Sequence, residues 1–110
     1  VILHSGWNEK MFYEPNYYTA NPYLSSEAAQ WLANQKIRAL GLDFPQDKFE
    51  GPPKKGDFPI HRIILSHGIP FIEHLANLEK ISVSEFQFIA LPLKIHHGDG
   101  SPTRAVAILE

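Results

Sequence analysis

Cysteine is absent from the 110 residues. Disulfides, thiolate-held metals and cysteine nucleophiles are therefore excluded, and a reducing, cytoplasmic setting is the expectation. No basic block tracks a phosphate backbone. Ten Lys and Arg stand against 12 Asp and Glu, the net charge is −2 and the pI is near 6.3, so nucleic acid is not an expected partner. No apolar run approaches the ~20 residues that span a bilayer, and no signal-like segment opens the chain, so no membrane partner is expected. The nucleophile elbow G-x-S-x-G, a phosphate-cradling glycine loop and H-E-x-x-H are all missing. Internal repeats and low-complexity segments are missing too.

What is present suits one soluble domain over residues 1–110, with 44% apolar and 20% charged residues. The first residue is not methionine, and VILHSGW reads as a strand already in progress. Either a trimmed terminus or a beginning inside a longer protein accounts for that.

Residues 1–3 (VIL) predict a short buried strand ended by Ser5-Gly6. Residues 8–23 hold Phe12, Tyr13, Tyr17, Tyr18 and Tyr23 between prolines without a clean period. They predict an ordered loop whose aromatics pack inward rather than line a pocket. Ser25 and Glu27 start a helix with Ala28, Ala29, Trp31 and Leu32 as its apolar face, ending near residues 34–36. IRALGLD (residues 37–43) predicts a strand covered on both faces and parallel to the first. Residues 44–59 read as a loop, mobile around Gly51 and Gly56. Residues 59–68 predict a short helix, with Pro59 at its start and Gly68 at its end. A short strand over 69–74 and a turn or helical link over 75–81 follow. Residues 85–95 and 103–109 form an antiparallel pair, with Pro92 at an edge or bulge. The class is α/β, with a mixed β-sheet, one main helix and one short helix.

Six histidines need sorting. The pair His96 and His97 in a polar turn reads as solvent-facing, and His67 suits a helix C-terminus. His4 and His74 fall on expected strands as hydrogen-bonded, half-buried side chains. His61 sits in the first turn of a short helix, and Glu73 interrupts the apolar Phe71-Ile72 segment twelve positions on. A carboxylate removed from water needs a partner or a metal, and imidazole with carboxylate suits zinc or manganese. Spacing alone leaves the pair open between a metal site and two unrelated polar residues. Asp43, at the end of a buried strand, suits either a site or the capping of the turn that follows.

Taken in order, VILHSGW, LSSEAAQWLANQKIRALGLDFPQ, HRIILSHGIPFIEHLANL and FQFIALPLKIHHGDGSPTRAVA resemble the cyclase family of metal-dependent hydrolases. Bacterial kynurenine formamidases (arylformamidases) are its members and isatin hydrolases its relatives. The resemblance implies a swivelling β/β/α-type fold, one or two zinc or manganese ions and a homo-oligomer, dimer or higher. It implies hydrolysis of a small-molecule amide, typically N-formylkynurenine to kynurenine and formate. It also implies that His61 and Glu73 are metal ligands.

The chain departs from the family pattern. The motif H-x-G-T-H-x-D-x-P-x-H, which supplies the other ligands and a proton-transfer histidine, precedes everything present here, and no His-x-x-x-His-x-Asp occurs. Phe44 and Gln46 stand where Thr and Ser are usual. The chain thus resembles the family's C-terminal portion. A hydrolytic metal site needs about three protein ligands and an open position, so residues 1–110 alone are expected to be inactive. They represent part of an amide hydrolase; alternatively, a truncated, inactive structural or oligomerising homologue; or a chain completed by another. Strand edges left unpaired predict self-association.

Overall fold

The computed structural model describes residues 1–48 and 58–109, so the loop expected around Gly51 and Gly56 lies outside the described residues. The described residues form two compact units, Val1–Leu78 and Glu79–Glu110.

The first unit is built on a parallel three-stranded sheet. β1 (Ile2–Leu3) and β3 (Phe71–Ile72) flank β2 (Leu40–Leu42), with Ile2 opposite Gly41 and Leu40 opposite Phe71. Every residue of β2 is buried, as its unbroken apolar run implies. Gly41 is required by close approach. A Cβ there would stand 2.9 Å from both the Ile2 Cγ1 and the Leu75 Cδ1.

Helices supply the crossovers. After β1 comes the short α1 (Trp7–Met11), which from residue 8 on occupies the start of the stretch expected to be irregular. It is capped from afar: the buried Asp43 carboxylate accepts the Ser5 and Trp7 backbone N–H groups at 2.9 and 3.0 Å and the Ser5 hydroxyl at 2.9 Å. A cap lying 36–38 residues away in sequence leaves no local pattern to read. α2 (Ser26–Asn34) starts as its sequence dictates, with the Ser25 hydroxyl accepting the Ala28 N–H. Ala29, Leu32 and Ala33 are its buried residues. Trp31, expected on the same face, is exposed, because at 100° per residue it lies across the helix from Ala29.

α3 (Pro59–Ser66) follows β2 with Pro59 in its first turn, and it buries Ile60 and Ile64 against α2. Gly68, at φ +72°, ends it. The core joins Ala29, Leu32, Ala33, Leu40, Leu42, Phe44, Ile60, Ile64 and Ile69. Of the expected packing aromatics only Tyr17 is buried; Phe12, Tyr13, Tyr18 and Tyr23 are exposed.

A 3₁₀ turn, Leu78–Lys80, occupies the expected link. The second unit is a hairpin of β4 (Gln87–Pro92) and β5 (Thr103–Ile108), antiparallel, with Gln87 opposite Ile108 and Pro92 opposite Thr103. Pro92 ends its strand, where a missing N–H costs least. The class is α/β, as expected. Its parallel and antiparallel pairings are divided between two sheets rather than merged in one. No helix among the described residues is long and apolar enough to cross a membrane.

Candidate functional site

The carboxyl ends of parallel strands are where crossover topology leaves a crevice. Here the residues leaving β2 and β3 meet the first turn of α3. An open cleft of about 410 Å³ lies there, lined by Tyr18, Pro45, Gln46, Phe58, His61, Glu73 and His74.

Two chain segments hold Glu73 and His61 face to face. Glu73 directly follows β3, and its Oε1 accepts the Gln46 backbone N–H at 2.9 Å. The same oxygen lies 3.6 Å from His61 Nε2. His61 is fixed from its other side, where Nδ1 meets Asp47 Oδ2 at 2.6 Å. Asp47 is almost wholly buried and also accepts the Ile60 and His61 N–H groups, at 3.0 and 3.2 Å. One carboxylate thus caps α3 and aims the imidazole carried on its first turn. His61 also packs its ring against Phe71, with centroids 4.6 Å apart.

Asp47 was not legible in the sequence. It acts across residues 48–57, and long-range capping has no spacing signature. Its positive φ of 76° is a local cost, borne where the surrounding contacts fix the backbone. Gln46, also buried, turns its side-chain oxygen toward the Asp47 and Leu24 N–H groups. Asn21 braces the same segment, with its amide nitrogen 2.7 Å from the Pro45 oxygen and 3.0 Å from the Asp47 oxygen.

The charges follow from these contacts. Hydrogen bonds to Asp47 and then to Glu73 push the His61 pKa up to about 9, against the opposing effect of burial. Burial raises the Glu73 carboxyl, but the hydrogen bonds from His61 and the Gln46 N–H outweigh it and leave the group below its ordinary value. A histidine raised in the folded state stabilises it fully below its unfolded pKa of roughly 6.5, and that contribution is lost as pH rises through about 9. The metal-free protein is therefore expected to lose urea midpoint between pH 7 and 9.5. A flat midpoint over that range would contradict the arrangement.

The other candidates fall elsewhere. His4 and His74 are exposed rather than half-buried: His4 pairs with Glu9 at 2.9 Å, and His74 contacts Tyr17. His67 bonds the Ile63 carbonyl with Nδ1 at 2.8 Å, a local helix-end contact. His96 and His97 are exposed in the hairpin turn. Asp43 serves as a cap, but of the turn after β1 rather than the one after β2. His4, Glu9 and Asp43 are the one group of three metal-ligating side chains that converges among the described residues, yet both Asp43 oxygens already accept backbone N–H groups.

The donor set tests the metal expectation. His61 Nε2 and Glu73 Oε1 converge at a separation suited to two ligands of one ion, and the second His61 nitrogen is bonded to a carboxylate, the arrangement that orients metal-bound histidines. The pair fits one side of a metal site. Among the described residues no third donor joins it.

A crossover α/β unit with a His–Glu pair beyond its strand ends defines the class, and comparisons with known proteins place it further. Residues 1–46 match the Cyclase family model, described as "Putative cyclase". The chain is similar to kynurenine formamidase from Bacillus cytotoxicus, 32% identical over 85 residues, covering 77% of this chain and 39% of the relative. The enzyme of the same name from Bacillus thuringiensis is 33% identical over the same length. Among solved structures, an isatin hydrolase bound to the product analogue thioisatinate superposes with TM-score 0.81 and 28% identity. It covers 99% of this chain and 44% of that one. A structure described as a potential metal-dependent hydrolase with cyclase activity has the same fold, with TM-score 0.73 and 23% identity over 97% of this chain and 49% of that one. The cyclase-family resemblance read from the sequence is thereby borne out in both sequence and fold. The chain spans about two fifths of the length of the curated relatives it matches.

Proposed function

We propose that this chain is part of a metal-dependent hydrolase of C–N amide bonds, of the kynurenine formamidase type. The observation that carries the reading is the His61–Glu73 pair, 3.6 Å apart in a cleft, with Asp47 holding the imidazole so that Nε2 faces Glu73. In this reading residues 1–110 act within one domain, the substrate is a small aryl or cyclic amide, and the setting is the cytoplasm. Similar proteins named kynurenine formamidase and isatin hydrolase support the substrate class.

His61 and Glu73 would hold zinc or manganese, which when bound supplies Lewis acidity and a lowered water pKa. The work of this chain's own residues is to hold and to orient. Asp47 keeps the proton of His61 on Nδ1 and leaves the Nε2 lone pair for a ligand role. His61 must first release the proton that Asp47 and Glu73 favour, so loading by metal releases a proton and strengthens as pH rises. Glu73 stays ionised through the Gln46 N–H. Tyr18, Phe58 and Pro45 give the cleft aromatic and apolar walls suited to a planar aryl group. In hydrolysis, water oxygen joins the carbonyl carbon, the C–N bond breaks and the amine leaves with a proton.

The gene product that carries these residues is expected to release formate from N-formylkynurenine with zinc or manganese. His61→Ala should lower kcat/KM by a factor on the order of a hundred or more. Residues 1–110 alone, with only two donors at the cleft among the described residues, are expected to show no turnover above a His61→Ala control. A His61→Ala gene product as fast as wild type would contradict the reading.

Self-association belongs to the same proposal. The hairpin leaves Leu91, Leu93, Ile95, Val106 and Ile108 exposed, an apolar load that oligomers cover. Light scattering should show a dimer or larger species, and a monomer unchanged with concentration would count against it.

A further inference from the structure

Residues 8–23 leave most of their aromatic side chains exposed, yet near its end the stretch carries a buried amide, Asn21. Its Nδ2 faces three backbone oxygens, those of Pro45 at 2.7 Å, Pro22 at 2.9 Å and Asp47 at 3.0 Å. Carbonyl oxygens only accept, so the amide has one orientation, with its nitrogen and two hydrogens toward them. Pro22 is the chain neighbour. The other two lie 24 and 26 residues on, at the two ends of the segment 45–47.

That segment reaches both members of the pair in the cleft. The Gln46 backbone N–H donates to Glu73 Oε1 at 2.9 Å, and the Asp47 carboxylate meets His61 Nδ1 at 2.6 Å. His61 and Glu73 stand on different elements, yet consecutive residues of one segment hold them. A displacement of residues 45–47 therefore carries both partners with it. The Gln46 side-chain oxygen adds a further tie, to the Leu24 N–H at 3.2 Å. Residues 21–24, which lead into α2, thus grip Pro45, Gln46 and Asp47 each in turn.

We infer that Asn21 is a positioning residue that sets the separation of His61 and Glu73, by fixing residues 45–47 through their backbone. It acts without hydrogen-bonding to either side chain of the pair. The inference rests on the metal-site reading only for what that separation serves. Groups in the layer behind metal ligands fix ligand geometry, and their loss weakens metal binding. Asn21 is such a group for both ligands at once, whereas Asp47 is one for His61 alone.

The test begins with the metal-free chain. Asn21→Asp keeps the size of the side chain and puts an acceptor where the donor stood, opposite oxygens that have nothing to donate. Asn21→Ala removes the donor without adding a charge, and serves where the aspartate variant does not fold. In ¹H–¹⁵N spectra the amides of Gln46, Ile60 and His61, which donate to Glu73 and Asp47, should shift together. Zinc or manganese uptake at the cleft should weaken about 10–100-fold. Ser25→Ala is the control. It removes the α2 cap four residues from Asn21, and should lower the urea midpoint while leaving uptake as in wild type. Unmoved Gln46, Ile60 and His61 amides, or shifts confined to one partner's side, would overturn the inference. So would a loss of uptake in Ser25→Ala equal to that in Asn21→Ala. A wild-type chain that takes up no metal would remove the metal-site reading, and the amide shifts would still decide the role of Asn21.

Discussion

Asp47→Ala is expected to destabilise the protein by about 2–4 kcal/mol and to release His61 from its fixed orientation. Three contacts disappear together: the Ile60 and His61 backbone N–H groups and the His61 imidazole all lose the same carboxylate. Loss of an N-cap acceptor costs about 1 kcal/mol, and hydrogen bonds to a charged group contribute about 1.5–3 kcal/mol. Alanine also fits poorly at φ 76°, whereas asparagine tolerates that region. Asp47→Asn is the milder variant: its one amide oxygen can still accept the Ile60 N–H and the backbone is tolerated, while the anion that holds His61 protonated, and the acceptor for the His61 N–H, are removed. Urea unfolding at pH 7 should rank wild type above Asn and Asn above Ala. The decline in midpoint toward pH 9.5 should flatten in the Asn variant. An Asp47→Ala midpoint within error of wild type would remove the structural basis for a preset His61.

Metal binding carries the second large effect. With only two donors among the described residues, the metal-free chain is expected to take up zinc or manganese weakly, at a single locus, and more tightly as pH rises. Either His61→Ala or Glu73→Gln should reduce that uptake to background. Glu73→Gln is the sharper variant, because an amide oxygen still accepts the Gln46 N–H and the fold around the cleft is retained. Asp47→Asn touches no ion directly, and should weaken affinity about 10–100-fold through the orientation and basicity of His61. Graded losses of this kind separate a ligand from the residue that aims it.

Much of this architecture was legible in the residues because its signals are local. Ser25 and Glu27 write the start of α2, and Pro59 and Gly68 bracket α3. The unbroken LGL of β2 marks a strand covered on both faces. By spacing His61 and Glu73 were legible only as residue types that metals favour; the family resemblance alone implied that they meet. What escaped acts at a distance. Asp43 and Asp47 cap segments up to 38 and 14 residues away, and their roles exist only once the crossovers have closed. Trp31 shows the opposite error: a large apolar residue was assigned to the buried face by type, when its position on the helix turns it to solvent. The hairpin pairing was read correctly from two strand-like runs around a turn. Its separation from the parallel sheet depends on contacts that no single strand encodes.

In the proposed hydrolase, His61 and Glu73 form one side of a metal site. Its most direct test is a manganese titration of the ¹⁵N-labelled chain, reading which amides the paramagnetic ion broadens first. The account predicts that broadening begins at Gln46, His61 and Glu73, spreads to His74, and vanishes in Glu73→Gln. Broadening centred on His4 and Glu9, or on His96 and His97, and indifferent to Glu73→Gln would contradict it.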